Sequence, residues 1–196
     1  MKPSTFTDLT VCGLDELDGH SDRGVTHVLS ILDPGWPEPA AFESFDPHFR
    51  ATFHFHDAIE PDPGVVMPER SDVDRILAFG REAGDERHLL IHCHAGISRS
   101  TAAMLMILAQ AHPTETEEAI VDRLLAIRPQ AWPNSRMVAF ADESLGRGGR
   151  LLAAVSRIYA RRLEDQPELA DIMRRLNRAR EVELGLEGKN WLTDHG

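Results

Sequence analysis

The segment Ile-His-Cys-His-Ala-Gly-Ile-Ser-Arg-Ser, residues 91–100, sets Cys93 and Arg99 six positions apart, with a glycine and a serine between them. Five residues, His94, Ala95, Gly96, Ile97 and Ser98, are enough for a loop to curl around one tetrahedral oxyanion with its backbone N–H groups turned inward. Gly96 allows positive φ there without a Cβ penalty, and a helix beginning near Ser98 would aim the positive end of its dipole at the same point. Arg99 adds a forked donor that can hold two phosphate oxygens at once. The same groups would favour a thiolate at Cys93, which would then be both a nucleophile and a good leaving group. Displacing an alkoxide or phenoxide from phosphorus also calls for a proton donor.

The flanking residues have to place this loop. His88–Cys93 is a short apolar run that reads as a central strand. After Arg99 the chain becomes STAAMLMILAQA, a helix apolar enough to be buried on most of its surface. Leu9–Cys12 and Val25–Ile31 read as further strands, and residues 51–57, ATFHFHD, as a half-buried strand that runs into the turn-rich AIEPDPG and leaves Asp57 at its end. Residues 33–40, DPGWPEPA, must be an irregular loop, whose Trp36 either covers the core or lines a pocket mouth. Apolar spacing predicts a helix over Pro68–Ala83, with Pro68 in the first turn and Gly84 as the stop. Thr114 and Glu117 form a candidate capping box for a helix ending before Pro129, and Asn134 a candidate cap for one ended by the glycines of 146–149. Helices over Leu151–Leu163 and about Pro167–Leu184 follow. Strands alternating with helices to about residue 145 predict an α/β fold with a central, mostly parallel sheet flanked by helices. We divide the chain into a catalytic domain, residues 1–149, and a helical C-terminal extension, 150–196.

Residues 91–100 resemble the signature of the cysteine-dependent protein tyrosine phosphatase superfamily, HC, five residues, then R, and within it the bacterial-type, dual-specificity form that favours Ser-Arg-Ser at the loop's end. His92, Cys93, Ala95, Gly96, Ser98, Arg99 and Ser100 match. The likeness extends over about residues 25–145 in the order of elements and in RPQAWPN, similar to the RP…PN segment of that family. The resemblance implies that Cys93 forms a phosphocysteine, that Arg99 binds the phosphoryl oxygens, and that Ser100 hydrogen-bonds the leaving thiolate. It also implies that His92 holds the loop from behind, that Asn134 braces its backbone, and that an aspartate some distance upstream is the general acid. Asp57, 36 residues before Cys93, is the candidate, and Asp62 in the same loop is its rival. The function expected is hydrolysis of phosphate monoesters, on phosphotyrosine in proteins or peptides with tolerance for phosphoserine and phosphothreonine, with no metal or cofactor. Its rivals are a phosphatase of a phosphoinositide or nucleotide, a noncatalytic phosphate-binding module, and a thiol-redox enzyme that would need Cys12 as resolving partner.

Composition narrows the classes. The 196 residues, 42% hydrophobic and 27% charged, suit a packed fold, and 32 acidic against 21 basic residues, net charge −11, argue against nucleic acid or an anionic membrane as partner. The longest unbroken apolar stretch, Ala102–Ala109, is far shorter than the roughly 20 residues that span a bilayer, and the first 20 residues hold no apolar run of secretory length. With only Cys12 and Cys93 as cysteines, a reducing cytoplasm is expected. Lysine at only positions 2 and 189 points to a GC-rich, bacterial source. His54, His56, His88, His92 and His94 cluster near Asp57 and Cys93 and could ligate zinc, but zinc would quench the thiolate that the loop is built to expose. His94 is expected to rim the phosphate site and tune substrate choice. Cys12 is expected in the core, and the arginines after residue 150 on solvated helix faces, with homodimerisation through those helices as the alternative.

Overall fold

The computed structural model describes residues 6–81 and 87–194. Four strands, β1 (Asp8–Cys12), β2 (His27–Leu32), β3 (Phe49–His54) and β4 (His88–His92), form one sheet in the order β1-β4-β2-β3, with every pair parallel. β2 and β4 are buried along their whole length, as the centre of a parallel sheet with both faces covered requires. Because the strands all run one way, their C-terminal ends share one rim of the sheet, and Gly13, Asp33, Phe55 and Cys93 each follow directly from a strand at that rim. Open parallel sheets place their ligand sites there. The strand expected over 51–57 ends earlier, at His54, because the chain turns: Phe55 N–H still bonds Leu32 C=O at 3.0 Å, but His56 N–H bonds Val66 C=O at 2.8 Å and so closes a loop that carries Asp57.

Helix α1 (Arg70–Arg81) starts two residues after Pro68 rather than on it, and its expected stop at Gly84 lies outside the described residues. α2 (Arg99–Ala111) follows the loop and is buried from Arg99 through Ala109. α3 (Glu117–Ile127) is capped by Thr116, whose hydroxyl accepts from Ala119 N–H, and not by Thr114. The capping box fails because Glu117 faces the other way, toward Arg147 and Arg150, each at 3.1 Å. Asn134 caps α4 (Ser135–Ser144) as expected, accepting from Met137 N–H at 3.1 Å. α5 (Arg150–Asp165) begins after a glycine with no side chain to cap it, and Asp142 of α4 takes over by accepting from Gly149, Leu151 and Leu152 N–H.

The single helix expected over 167–184 is two, α6 (Leu169–Arg175) and α7 (Ala179–Asp194). Asn177 sits at φ 58° between them, while Arg178 N–H bonds Met173 C=O and Asn177 N–H bonds Arg174 C=O. That is a Schellman stop with asparagine in the left-handed position usually held by glycine. Val155, Ile158 and Tyr159 of α5 and Val182 of α7 belong to the same apolar cluster as Leu89 and Ile91 of β4 and Leu105 of α2. The helices after residue 150 therefore share the core of the sheet. Among the described residues no helix is long and apolar enough to cross a membrane.

Candidate active site

Cys93 is the first residue past β4, 3% exposed, with its Sγ 3.1 Å from Ser100 Oγ on the first turn of α2. The loop from His94 to Ser98 is held by its carbonyls, each engaged from outside. Leu14 N–H donates to His94 C=O at 2.9 Å, Arg128 to those of Ala95 and Gly96 at 3.3 and 2.9 Å, Trp132 N–H to Ile97 C=O at 2.8 Å, and Ala102 N–H to Ser98 C=O at 2.9 Å. In a planar trans peptide the N–H points opposite to the C=O it follows. Tying the carbonyls outward thus turns the N–H groups of residues 95–99 toward the inside of the loop, the arrangement that binds an oxyanion. Gly96 has φ +67°, and a Cβ there would lie 2.6 Å from Gly13 N at the end of β1, so both conformation and space require glycine.

Arg99, the first residue of α2 directly after this loop, is buried. Its Nη1 donates to Asp33 Oδ1 and to Phe55 C=O, both at 2.6 Å, and its Nε is buried with no hydrogen-bond partner. A buried guanidinium N–H is costly to leave unpaired. Asp57 lies across the loop, with Oδ1 accepting from Ser98 Oγ at 2.7 Å and Asn134 Nδ2 at 2.9 Å, and Oδ2 paired with Arg178 Nη1 at 2.9 Å. Burial works to raise the carboxyl's pKa. The guanidiniums of Arg178 and Arg99 and the bonds from Asn134 and Ser98 outweigh it and hold the group below the usual range.

The expected site residues therefore come together in a specific way. Ser98 stands at the cap position of α2, but its hydroxyl serves Asp57 rather than the helix end. Asn134 braces the loop through its own N–H on Ser98 C=O and also holds Asp57. His92 lies behind the loop, with Nε2 2.7 Å from Ser30 Oγ; burial lowers its pKa to about 4, so it is a neutral brace. His94 Nε2 accepts from Asp33 N–H, and burial lowers its pKa as well. Trp36 does not cover the core: it is 45% exposed and meets the His94 ring edge-on, 4.4 Å between centroids, at the rim of the site. Asp62 is exposed in the turn of the loop, where its C=O accepts from Val65 N–H. Both cysteines are free; burial and the neighbouring Glu16 push the Cys12 thiol up to about 12. Among the described residues no group of three or more His, Cys, Asp or Glu side chains is arranged to hold a metal ion.

Four participants escape sequence reasoning. Asp33 holds Arg99, and its place directly after β2 mirrors that of Cys93 after β4, a signal that topology makes readable. Arg128, paired with Glu16 at 2.7 and 2.9 Å, sits in the RP of RPQAWPN and could have been singled out. Arg178 and Glu181 carry no local pattern and come from a region outside the family likeness.

Comparison with known proteins agrees with this geometry. No protein-family model matches the chain. It is 33% identical over 122 residues to mouse dual specificity protein phosphatase 12, covering 59% of this chain and 32% of that one, and 29% identical over 164 residues to the rat protein, covering 79% and 44%. The chain thus spans less than half the length of these curated relatives. Among solved structures, Cydia pomonella PTP-2 phosphatase aligns with TM-score 0.53 at 18% identity over 70% of this chain and 85% of that one. Human DUSP28 aligns with TM-score 0.52 at 14% identity over 71% and 92%. With its cysteine at the start of the loop between β4 and α2 and its arginine and serine on the first turn of α2, this chain has the fold of the cysteine-dependent protein tyrosine phosphatases in their dual-specificity form.

Proposed function

We propose that the protein hydrolyses phosphate monoesters through a phosphocysteine, acting on phosphotyrosine in proteins or peptides and more slowly on phosphoserine and phosphothreonine. The observation that carries this reading is the unpaired, buried Nε of Arg99, the residue directly after a loop that begins at Cys93 and has its carbonyls tied outward. A phosphoryl group would satisfy that N–H and the loop amides together, and their positive ends would stabilise the charge that builds on its oxygens in transfer. Cys93 Sγ then forms the S–P bond as the ester O–P bond breaks, and the proton of Asp57 goes to the departing oxygen. Water next attacks phosphorus, returning its proton to Asp57, and the thiolate leaves toward the Ser100 hydroxyl. Asp57 is held ionised by its neighbours, so the protonated form that donates is populated only at acid pH, and kcat/KM on esters with poor leaving groups should fall as pH rises through the acid range, before neutrality is reached.

Trp36 and His94 favour an aryl substrate, since together they offer an aromatic wall at the rim. At the loop itself His94, Ala95 and Ile97 bring no lysine to meet further phosphates of an inositol ring. The test is hydrolysis of a phosphotyrosine peptide, a phosphoserine peptide and a phosphoinositide, with EDTA present, by the wild type and Cys93→Ser. Turnover of the tyrosine peptide that is lost in the variant supports the proposal. Turnover of the lipid alone transfers the same chemistry to a non-protein substrate, and no turnover of any, nor of a small aryl phosphate, overturns it.

A further inference from the structure

Arg178 lies in the turn between α6 and α7, 121 residues from Asp57 in sequence, yet it pairs with that carboxylate at 2.9 Å. The two partners are unequally placed: the guanidinium side chain is 4% exposed and the carboxylate 31%. Arg178 is fixed from behind. Its Nε and Nη2 donate to the two carboxylate oxygens of Glu181 at 2.7 and 2.9 Å, and Glu181, wholly buried, also accepts from Trp132 Nε1 at 2.6 Å and Ser135 N–H at 2.8 Å. Glu181 thus has four donors and neutralises Arg178 by itself. The remaining arm, Nη1, extends to Asp57 and, among the described residues, to no other acidic group.

We propose that Arg178 is a positioning residue for the proton donor, supplied by the C-terminal helices, which fixes the direction of the Asp57 carboxyl and sets the pH at which it can hold its proton. This rests on the reading of Asp57 as the general acid. The charge arrangement suits a group that must gain and lose a proton every turnover. With Asp57 ionised, Arg178 is shared between two carboxylates; with Asp57 protonated, Arg178 and Glu181 remain a complete buried pair, so neither state strands a charge. An Asp57 held by Ser98 and Asn134 alone would keep one oxygen, Oδ1, in place and leave Oδ2 free to swing.

The other groups facing Asp57 are Arg99 from the start of α2, His94 from the loop and Tyr159 from α5. Glu60, three residues further along the chain, pairs with Arg180 at 3.9 Å. Arg99 is committed to Asp33 and the oxyanion, burial works against a charge on His94, and burial with the nearby Glu181 keeps Tyr159 protonated. Arg178 is therefore the cation whose removal acts on Asp57 without removing a phosphate ligand.

The experiment compares wild type, Arg178→Gln and Arg178→Lys, each also in an Asp57→Asn background, by the pH profile of kcat/KM on aryl phosphates of differing leaving-group pKa. Asp57 carboxyl titration is followed by carbon NMR. An acid freed from a cation holds its proton to higher pH, so in Arg178→Gln the descending limb and the NMR midpoint should both move up by about one pH unit. Arg178→Lys should restore their position but not the slope against leaving-group pKa, since an ammonium lacks the fork that spans Glu181 and Asp57. In the Asp57→Asn background neither substitution should move the limb. An unmoved limb and midpoint, or an equal loss of rate with and without Asp57, overturns the inference. Should Arg178→Gln fail to fold, the Lys variant decides, because wild-type leaving-group dependence in it sinks the positioning role. Wild type that turns over no aryl phosphate refutes the phosphatase reading instead, and the NMR midpoint still shows whether Arg178 holds Asp57.

Discussion

Two cysteines stand at the ends of adjacent strands of the same sheet, in different surroundings. Cys12 closes β1 in an apolar cluster with Leu17, Val28 and Leu90, where burial and Glu16 keep it a thiol. Cys93 directly follows the next strand, with its Sγ beside Ser100 on the first turn of a buried helix. The same contrast separates the two candidate acids. Asp57→Asn should slow turnover of esters with poor leaving groups about 10²- to 10⁴-fold, the usual contribution of a positioned proton donor, and spare those with good ones. Asp62→Asn should change neither, and equal effects in steady-state assays with both ester classes would reverse the assignment. His92 has a stability signature. Its folded pKa of about 4 lies below the ordinary 6.5, so the stability tied to its neutral form is full above pH 6.5 and is lost as pH falls toward 4. A drop of about 2–3 kcal/mol between pH 7 and 4.5 follows, and urea unfolding of His92→Gln should show a smaller one. Cys93, Gly96, Arg99 and Ser100 were legible in sequence because one stretch of eight residues carries them all. Asp33 and Arg178 were not, because their roles exist only once distant segments meet.

The helices show where local pattern and tertiary contact compete. Thr114 and Glu117 have capping-box spacing, but the buried Arg147 draws Glu117 away and the helix starts one turn's fraction later, on Thr116. Asn177 gives no glycine signal, so a helix that stops there reads as continuous. Element type and order were readable from periodicity, whereas these boundaries depended on side chains from elsewhere in the chain. Asp142 illustrates the energetic side of such contacts. It is buried at the end of α4 and accepts three N–H groups, two of them from the first turn of α5. Asp142→Ala should destabilise the protein by about 1–3 kcal/mol, a cap lost together with buried donors left unpaired. Asp142→Asn, which retains one acceptor, should lose less; equal midpoints for both in thermal unfolding would mean that α5 starts without help.

At the scale of the molecule, the division at residue 149 is a division in sequence, while the core runs across it. Leu151, Val155, Ile158, Tyr159 and Val182 pack with the sheet helices, and Trp132, buried against Tyr159 at 4.6 Å, donates to Glu181. A chain cut after 149 should therefore lose cooperative unfolding and the near-ultraviolet signal of Trp132; a sharp urea transition with wild-type turnover would make the extension an independent appendage. The strand order has a consequence for how the chain acquires its shape. β1 is bonded to β4 alone, Asp8 opposite His88, so it waits for a partner 80 residues further along, and no hairpin can form early to shelter it. β2 and β3 can join first, since both precede β4. β4 must then enter between β1 and β2, and Cys93 follows it directly. The last step that closes the sheet is thus the same step that delivers the nucleophile, and a partly folded chain with an exposed β1 edge carries no reactive loop.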